Sequence, residues 1–252
     1  MPLGDFTEQA EAYGRARPSY PDDLLNALIA RVGVSAGDAI ADLGAGTGLL
    51  TEQLAARGFR VTAVEPNEAM RRQAKPLAGV RWVDGTFESS GLETGSQTWA
   101  VAAQAFHWAD PPRALPEVKR LLKPGGFFTV LWNNREHDRH PVLAWTCEAI
   151  QRHVPGFDDN YRDEEWSAVL TSTGDFAEVV CHASRHVVPM DRERYLNLWR
   201  SHNRLKTLAG QERLAAFLQE LTQYLAARGD EPIGVSYLCR AWTARAVPQA
   251  KS

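Results

Sequence analysis

The segment Ala39-Ile40-Ala41-Asp42-Leu43-Gly44-Ala45-Gly46-Thr47-Gly48 constrains this chain more than any other. A short apolar run delivers an acid and then three glycines at alternate positions, and Leu49, Leu50 and Leu54 follow at helical spacing. That order describes a strand, a tight turn and a helix N-terminus, the corner on which α/β folds hold nucleotides. Glycine permits backbone angles closed to other residues and lets a ligand approach the main chain. About twenty residues after Gly44, Val61-Thr62-Ala63-Val64 reads as a second buried strand that ends at Glu65. An acid at that distance can accept hydrogen bonds from both ribose hydroxyls. An ordinary packing corner would leave Glu65 unexplained, so glycines and acid together predict a nucleoside site.

The glycine spacing narrows the nucleoside. A dinucleotide fold carries G-x-G-x-x-G and rests a pyrophosphate on the helix N-terminus. Here the pattern is G-x-G-x-G, led by Asp42, with no Lys or Arg in the turn and no G-K-[ST] after it. A turn with an acid and no cation to meet phosphate suits a ligand that carries an ammonium group and no phosphate.

Around this corner, strand and helix patterns alternate. Leu24, Leu25, Leu28, Ile29 and Val32 mark an amphipathic helix, with Ser19 and Asp22 approximating a capping box. Strands are expected near 39–43, 60–64, 80–83, 99–103 and 127–132, with helices near 48–57, 67–74 and 111–122. The corner Leu121-Leu122-Lys123-Pro124-Gly125-Gly126 ends a helix with residues that cannot continue it. Two late strands, 177–181 and 237–242, flank a helical stretch of about 191–228 that sets Leu214, Phe217, Leu218, Leu221 and Leu225 at helical spacing. This alternation predicts an α/β fold, a parallel sheet covered on both faces.

At 252 residues the chain suits one α/β domain with additions. Its hydrophobic fraction of 44% and charged fraction of 23% are ordinary for a globular protein. The formal net charge of −3 and the absence of a Lys/Arg run predict no nucleic-acid partner. Three widely spaced cysteines, Cys147, Cys181 and Cys239, form no C-x-x-C pair, which argues against a zinc cluster or disulfide framework. His137-Asp138-Arg139-His140 has a metal-like spacing but reads as a solvated loop. With no signal peptide and no membrane-length apolar run, a soluble cytoplasmic protein with no membrane partner is expected.

Asp42–Gly48 resembles motif I of the class I S-adenosylmethionine-dependent methyltransferases, and Val64-Glu65-Pro66-Asn67 resembles their next motif. Residues 121–126 resemble the segment before strand five in that class, and the likeness covers about 38–135. It implies a Rossmann-like, seven-stranded sheet whose last strand is antiparallel and inserted between strands five and six, with helices on both faces and a helical cap. One domain is expected over 1–252: an N-terminal cap (1–37), a cofactor-binding core (38–135) and the remaining strands (136–252) with a helical substrate cap at about 191–228. Within the class, the chain is most similar to small-molecule enzymes of the trans-aconitate and juvenile-hormone-acid methyltransferase type. That narrower likeness rests on Tyr13…Arg17-Pro18…Tyr20-Pro21 and on Gln104-Ala105-Phe106-His107-Trp108.

The resemblance implies S-adenosylmethionine as cofactor and a small organic molecule as methyl acceptor, through oxygen of a carboxylate or hydroxyl; the alternatives are RNA or protein methylation, or a non-catalytic S-adenosylmethionine-binding protein of the same fold. Ligands in an open α/β sheet bind at the carboxyl ends of the strands. Asp42, Gly44, Ala45, Gly46 and Gly48 are therefore expected along the methionine part, and Glu65 and Pro66 at the ribose. Asn67 and Met70 follow, and Met70 is either an adenine contact or a core residue. Thr86 and Phe87 hold the ring edge, and Ala103 and Gln104 close the site after strand four. Tyr13 and Arg17 are partners for the amino-acid carboxylate. Gln104, His107 and Trp108 are the catalytic candidates, with His107 either a base for a hydroxyl or a positioning group. Trp108 and Trp132 line the pocket or belong to the core, and Trp145, Trp166, Tyr195, Trp199, Arg200 and His202 are expected in the cap.

Overall fold

Strands that are apolar on both sides must be covered on both sides, and the computed structural model, which describes residues 18–158 and 165–248, shows how. The chain divides into two units, each assembled from segments distant in sequence. Of the described residues, one comprises 19–133, 165–184 and 239–248; the other comprises Pro18, 134–158 and 185–238.

The first unit holds a sheet of seven strands. The elements run α1 (Asp22–Val32), β1 (Ala39–Leu43), α2 (Leu49–Ala55), β2 (Arg60–Val64), α3 (Glu68–Gln73), β3 (Val80–Val83), β4 (Gln97–Ala103) and α4 (Pro111–Leu121). They continue with β5 (Leu122–Arg135), α5 (Pro141–His153), α6 (Trp166–Thr171), β6 (Phe176–Met190), α7 (Arg192–Arg200), α8 (Asn203–Ala227) and β7 (Ile233–Ala246). The sheet order is β3-β2-β1-β4-β5-β7-β6, with β7 antiparallel between β5 and β6. This is the seven-stranded α/β architecture expected from sequence. β1 pairs in parallel with β2 on one side and β4 on the other, which sets Asp42 opposite Ala63 and Val101.

Alternation along the buried strands makes two cores. Ala41, Leu43, Ala100, Val130 and Trp132 pack with α4 and α6 on one face. Ile40, Val61, Trp99, Val101 and Leu131 pack with α1 and α2 on the other. Trp132 belongs to the first core, fully buried and stacked on Trp166 at 4.2 Å. Both rings belong to this core, and Trp166 lies in the sheet unit rather than in a helical cap.

Several boundaries moved for identifiable reasons. α1 is not held by a capping box: its N-cap is Pro21, which has no side-chain acceptor, and Ser19 lies too far upstream to serve. β5 starts at Leu122 rather than Phe127, because Leu122 already pairs with Gln97 of β4, and a register shift between Gln97 and Trp99 takes up the Lys-Pro-Gly-Gly corner. Gly126 is required there, since a Cβ would stand 3.0 Å from the Thr98 and Lys123 carbonyls. α5 and α6 carried a readable signal that the sequence analysis passed over. Pro141 occupies the first turn of α5, and His140 Nδ1 accepts from the Val142 amide at 3.2 Å. His140 is thus a helix cap, the role its sequence neighbourhood obscured.

The second unit has its own core, built from α5, α7, α8 and the adjoining strand ends. Leu143, Ile150, Tyr195, Trp199, Phe217 and Leu221 are at its centre. Tyr195, Trp199 and His202, expected as cap residues, are almost fully buried here, so they serve packing. Burial pushes the Tyr195 hydroxyl up to about 12, where it shares a 2.9 Å hydrogen bond with Thr146. Trp145 stacks on Tyr224 at 3.7 Å, and Arg200 is exposed and paired with Glu193. α8 is interrupted at Gly210, whose φ of 68° and ψ of 178° leave the helical region. Among the described residues no helix is long and apolar enough to cross a membrane, and no cluster of three or more His, Cys, Asp or Glu could hold a metal.

Candidate cofactor and acceptor site

The carboxyl ends of β1, β2, β4 and β5 bring most of the sequence-predicted residues together in the first unit. The glycine turn is held from both sides. The Gly44 and Ala45 amides donate to the Val64 carbonyl at 2.8 and 3.1 Å, which ties the turn to the end of β2. Gly44 and Gly48 are needed for space: a Cβ on Gly44 would lie 2.7 Å from Ala105 Cβ, and one on Gly48 would lie 3.0 Å from Trp82. All three have positive φ, but Gly46 differs in that nothing lies within 4 Å of a Cβ built there. The loop is thus packed at its ends and open at its middle, as a cradle for a ligand must be.

Glu65 organises that cradle. One carboxylate oxygen accepts from the Gly46 amide and the other from the Asn67 amide, each at 2.9 Å. Each oxygen keeps a lone pair for a further donor, which is what two ribose hydroxyls require. Burial raises the Glu65 carboxyl above its usual range, opposed by the two amides and by Arg71. Arg71 donates to the Glu65 carbonyl and pairs with Asp84 at 3.3 Å. Asn67 caps α3 by accepting from the Met70 amide at 3.1 Å, and Met70 beneath it is buried.

Asp42 sits deeper than the sequence suggested, 1% exposed, with Oδ2 accepting from Thr51 Oγ1 at 2.6 Å. That bond fastens α2 to β1 under the glycine turn. Burial pushes the Asp42 carboxyl up to about 7, with the Thr51 hydroxyl opposing and nearby Glu65 adding to the rise.

After β3, Thr86 closes a small turn, its amide bonding to the Ser89 carbonyl at 2.9 Å and its hydroxyl accepting from the Ser89 amide at 3.2 Å. Phe87 packs edge-on against Phe106 at 5.3 Å and flanks Gly44. This loop is latched by residues the sequence analysis did not single out. Glu117 on α4 accepts from the Ser90 amide and hydroxyl at 3.0 and 2.6 Å and pairs with Arg120, which also donates to the Leu92 carbonyl. The Arg120 guanidinium and Ser90 hold the Glu117 carboxyl down at about 2. Glu117 and Arg120, two charged residues among others in an amphipathic helix, carry no sequence signal for such a latch.

After β4, Ala103 leads to Gln104, which has a φ of +58°, and to a 3-10 turn over Phe106–Trp108. His107 on that turn is half-buried and tilts against Trp108 at 4.8 Å, while Trp108 is 43% exposed. Gln104 Nε2 donates to the carbonyl of Asn133, a β5 residue absent from the sequence-based set. Pro66 follows Glu65, half-buried. Tyr13 and Arg17 lie outside the described residues. S-adenosylmethionine fits what is present: an open glycine cradle, a buried acid with free acceptor capacity, and buried oxygens suited to a cationic ligand.

Residues 41–130 match the model of the methyltransferase domain family. Over 146 residues the chain is 42% identical to an uncharacterized methyltransferase of Mycobacterium bovis, a stretch covering 57% of this chain and 56% of that relative. The chain thus spans little more than half the length of the mycobacterial relatives it matches. An uncharacterized methyltransferase of Schizosaccharomyces pombe is 27% identical over 96% of this chain and 97% of its own length. A solved structure from Anaeromyxobacter dehalogenans, described provisionally as a type II methyltransferase, aligns with a TM-score of 0.61 at 26% identity, covering 92% of this chain and 99% of that one. Haemonchus contortus phosphoethanolamine N-methyltransferase 2, solved with phosphomonomethylethanolamine and S-adenosylhomocysteine, shares the fold at a TM-score of 0.54 and 16% identity, over 96% of this chain and 58% of that one.

Proposed function

We propose, from a chain that carries a class I S-adenosylmethionine-dependent methyltransferase domain, that the protein transfers a methyl group to a small organic acceptor through oxygen. The observation that carries this is the Glu65-held glycine cradle at the carboxyl ends of β1 and β2, beside the Gln104–Trp108 turn after β4. Bound S-adenosylmethionine supplies an electrophilic methyl on sulfur, so the chain's own work is to hold, orient and keep water away. Glu65 takes the ribose hydroxyls, Gly46 lets the ligand approach the main chain, and the latched 84–92 loop shapes the adenine end. His107 accepts the proton when the acceptor is a hydroxyl and only positions the acceptor when it is a carboxylate.

Small size of the acceptor is supported by the formal net charge of −3 and by the absence of a basic tract that an RNA would require. The preference for oxygen comes from the family likeness to small-molecule enzymes and not from any one residue. Calorimetry with S-adenosylhomocysteine and NAD, followed by labelled methyl transfer into a metabolite extract, tests it. Binding of S-adenosylhomocysteine alone and one labelled small product are expected; tight NAD binding without it would sink the proposal. For a hydroxyl product, His107→Ala should flatten the rise in rate near neutral pH, whereas an intact limb would remove His107 as the base.

A further inference from the structure

Three buried oxygens at the carboxyl ends of neighbouring strands have no hydrogen-bond donor among the described residues. They are Asp42 Oδ1 on β1, Gln104 Oε1 after β4 and Asn133 Oδ1 on β5, and β1, β4 and β5 are adjacent in the sheet. The two amides are oriented by their other ends. Gln104 Nε2 donates to the Asn133 carbonyl at 3.2 Å, and Asn133 Nδ2 donates to the Ser19 carbonyl at 3.3 Å. Turning either amide over would set oxygen against oxygen, so the unpartnered atoms are the acceptors and not the NH₂ groups.

Asn133 is only 5% exposed, so bulk solvent does not reach its oxygen. Gln104 holds a φ of +58°, with its own amide tied to the Leu131 carbonyl at 2.9 Å. That conformation is uncommon for a non-glycine residue, and active sites are among the places where surroundings hold it. A buried acceptor without a donor is unfavourable, and native folds seldom retain one unless a partner arrives from outside. A carboxylate placed against these oxygens would add repulsion to desolvation. An ammonium or a hydroxyl would bring the missing N–H or O–H.

We propose that Gln104 Oε1 and Asn133 Oδ1 form a subsite that takes a hydrogen-bond-donating head group, an ammonium or a hydroxyl, and turns away a carboxylate. The subsite rests on the proposed methyl-transfer site at the same strand ends. Two sources can deliver such a group: the amino-acid end of the cofactor, or the methyl acceptor.

Near-isosteric Asn133→Leu and Gln104→Met remove one acceptor each with little change of volume, and if one fails to fold the other carries the test. In the first arm, calorimetry compares S-adenosylhomocysteine with 5′-methylthioadenosine, which lacks the amino-acid end. A loss of about tenfold or more for the former and little for the latter identifies the cofactor's ammonium as the occupant. In the second arm, ligand-observed NMR on protein loaded with S-adenosylhomocysteine compares phenol, benzylamine and benzoate. A preference for phenol or benzylamine over benzoate that disappears in each variant that folds identifies the acceptor as the occupant. Unchanged S-adenosylhomocysteine affinity, together with a fragment preference that is absent, reversed or insensitive to both substitutions, overturns the subsite while leaving the proposed function standing. Failure of the unaltered protein to bind S-adenosylhomocysteine overturns both.

Discussion

Two acids at the heads of adjacent strands behave differently because their surroundings differ. Glu65 is bonded to two main-chain amides, so its value lies in shaping the glycine cradle and in the lone pairs it keeps. Charge-assisted hydrogen bonds contribute about 1.5–3 kcal/mol, so Glu65→Ala should weaken S-adenosylhomocysteine binding by roughly ten- to a hundredfold. A calorimetric titration checks this, and near-normal affinity would remove Glu65 from the site. Asp42 has one partner, Thr51, and a carboxyl raised to about 7 by burial. Between about pH 4 and 7 the folded protein holds this proton and the unfolded chain does not, so stability is highest below that window and falls as pH rises through it. The fall is a few kcal/mol for a shift of this size. Asp42→Asn cannot ionise and should flatten the thermal stability profile of the ligand-free protein over that window. A profile as steep as the original would assign the pH dependence elsewhere.

Elements matter here through what they fasten. The loop after β3 is shaped by a helix that follows it in sequence, since Glu117 on α4 holds Ser90 and Arg120 together. The Glu117 carboxyl is held down at about 2, so its contribution is complete above the ordinary carboxyl value of 4.5 and is lost as pH falls from there toward 2. Glu117→Gln should therefore lower the melting temperature at neutral pH, with the gap to the original protein narrowing in acid. It should also weaken S-adenosylhomocysteine binding several-fold, because the Thr86–Phe87 turn belongs to the same loop. A stability loss with unchanged affinity would separate the latch from the ligand. The core between β5 and α6 gives a contrasting case. Trp132→Ala removes a fully buried ring stacked on Trp166 and should cost about 3–5 kcal/mol, read by denaturant unfolding.

At the scale of the whole molecule, a formal net charge of −3 spread without a basic run leaves little electrostatic attraction for a polyanion. Labelled methyl groups should enter a metabolite extract and not bulk tRNA, and the reverse pattern would defeat the small-acceptor proposal. The distribution of chain between the two units also explains which expectations transferred. Residues 39–103 were legible almost to the residue, because short parallel strands announce themselves as apolar runs and the turns between them as glycines and acids. Aromatic residues at helical spacing were not legible in the same way: Trp199 and Tyr195 could equally have lined a cavity, and only packing made them a core.

The sequence by itself determined the local grammar of this protein: the strand–turn–helix corner, the acid at the end of β2, the alternation that requires a covered sheet, and the class of ligand these imply. Each depends on residues close together in the chain, where spacing alone fixes geometry. Tertiary structure decided what depends on distant segments meeting. It buried Asp42 against Thr51, latched the β3 loop to Glu117, sank Trp132 and Trp166 into one stack, and brought Gln104 to Asn133 and Ser19. The physical reason is that burial and hydrogen-bond satisfaction belong to the packed molecule. A side chain's neighbours, and hence its charge state and its unmet bonds, exist only once the strands have been ordered side by side.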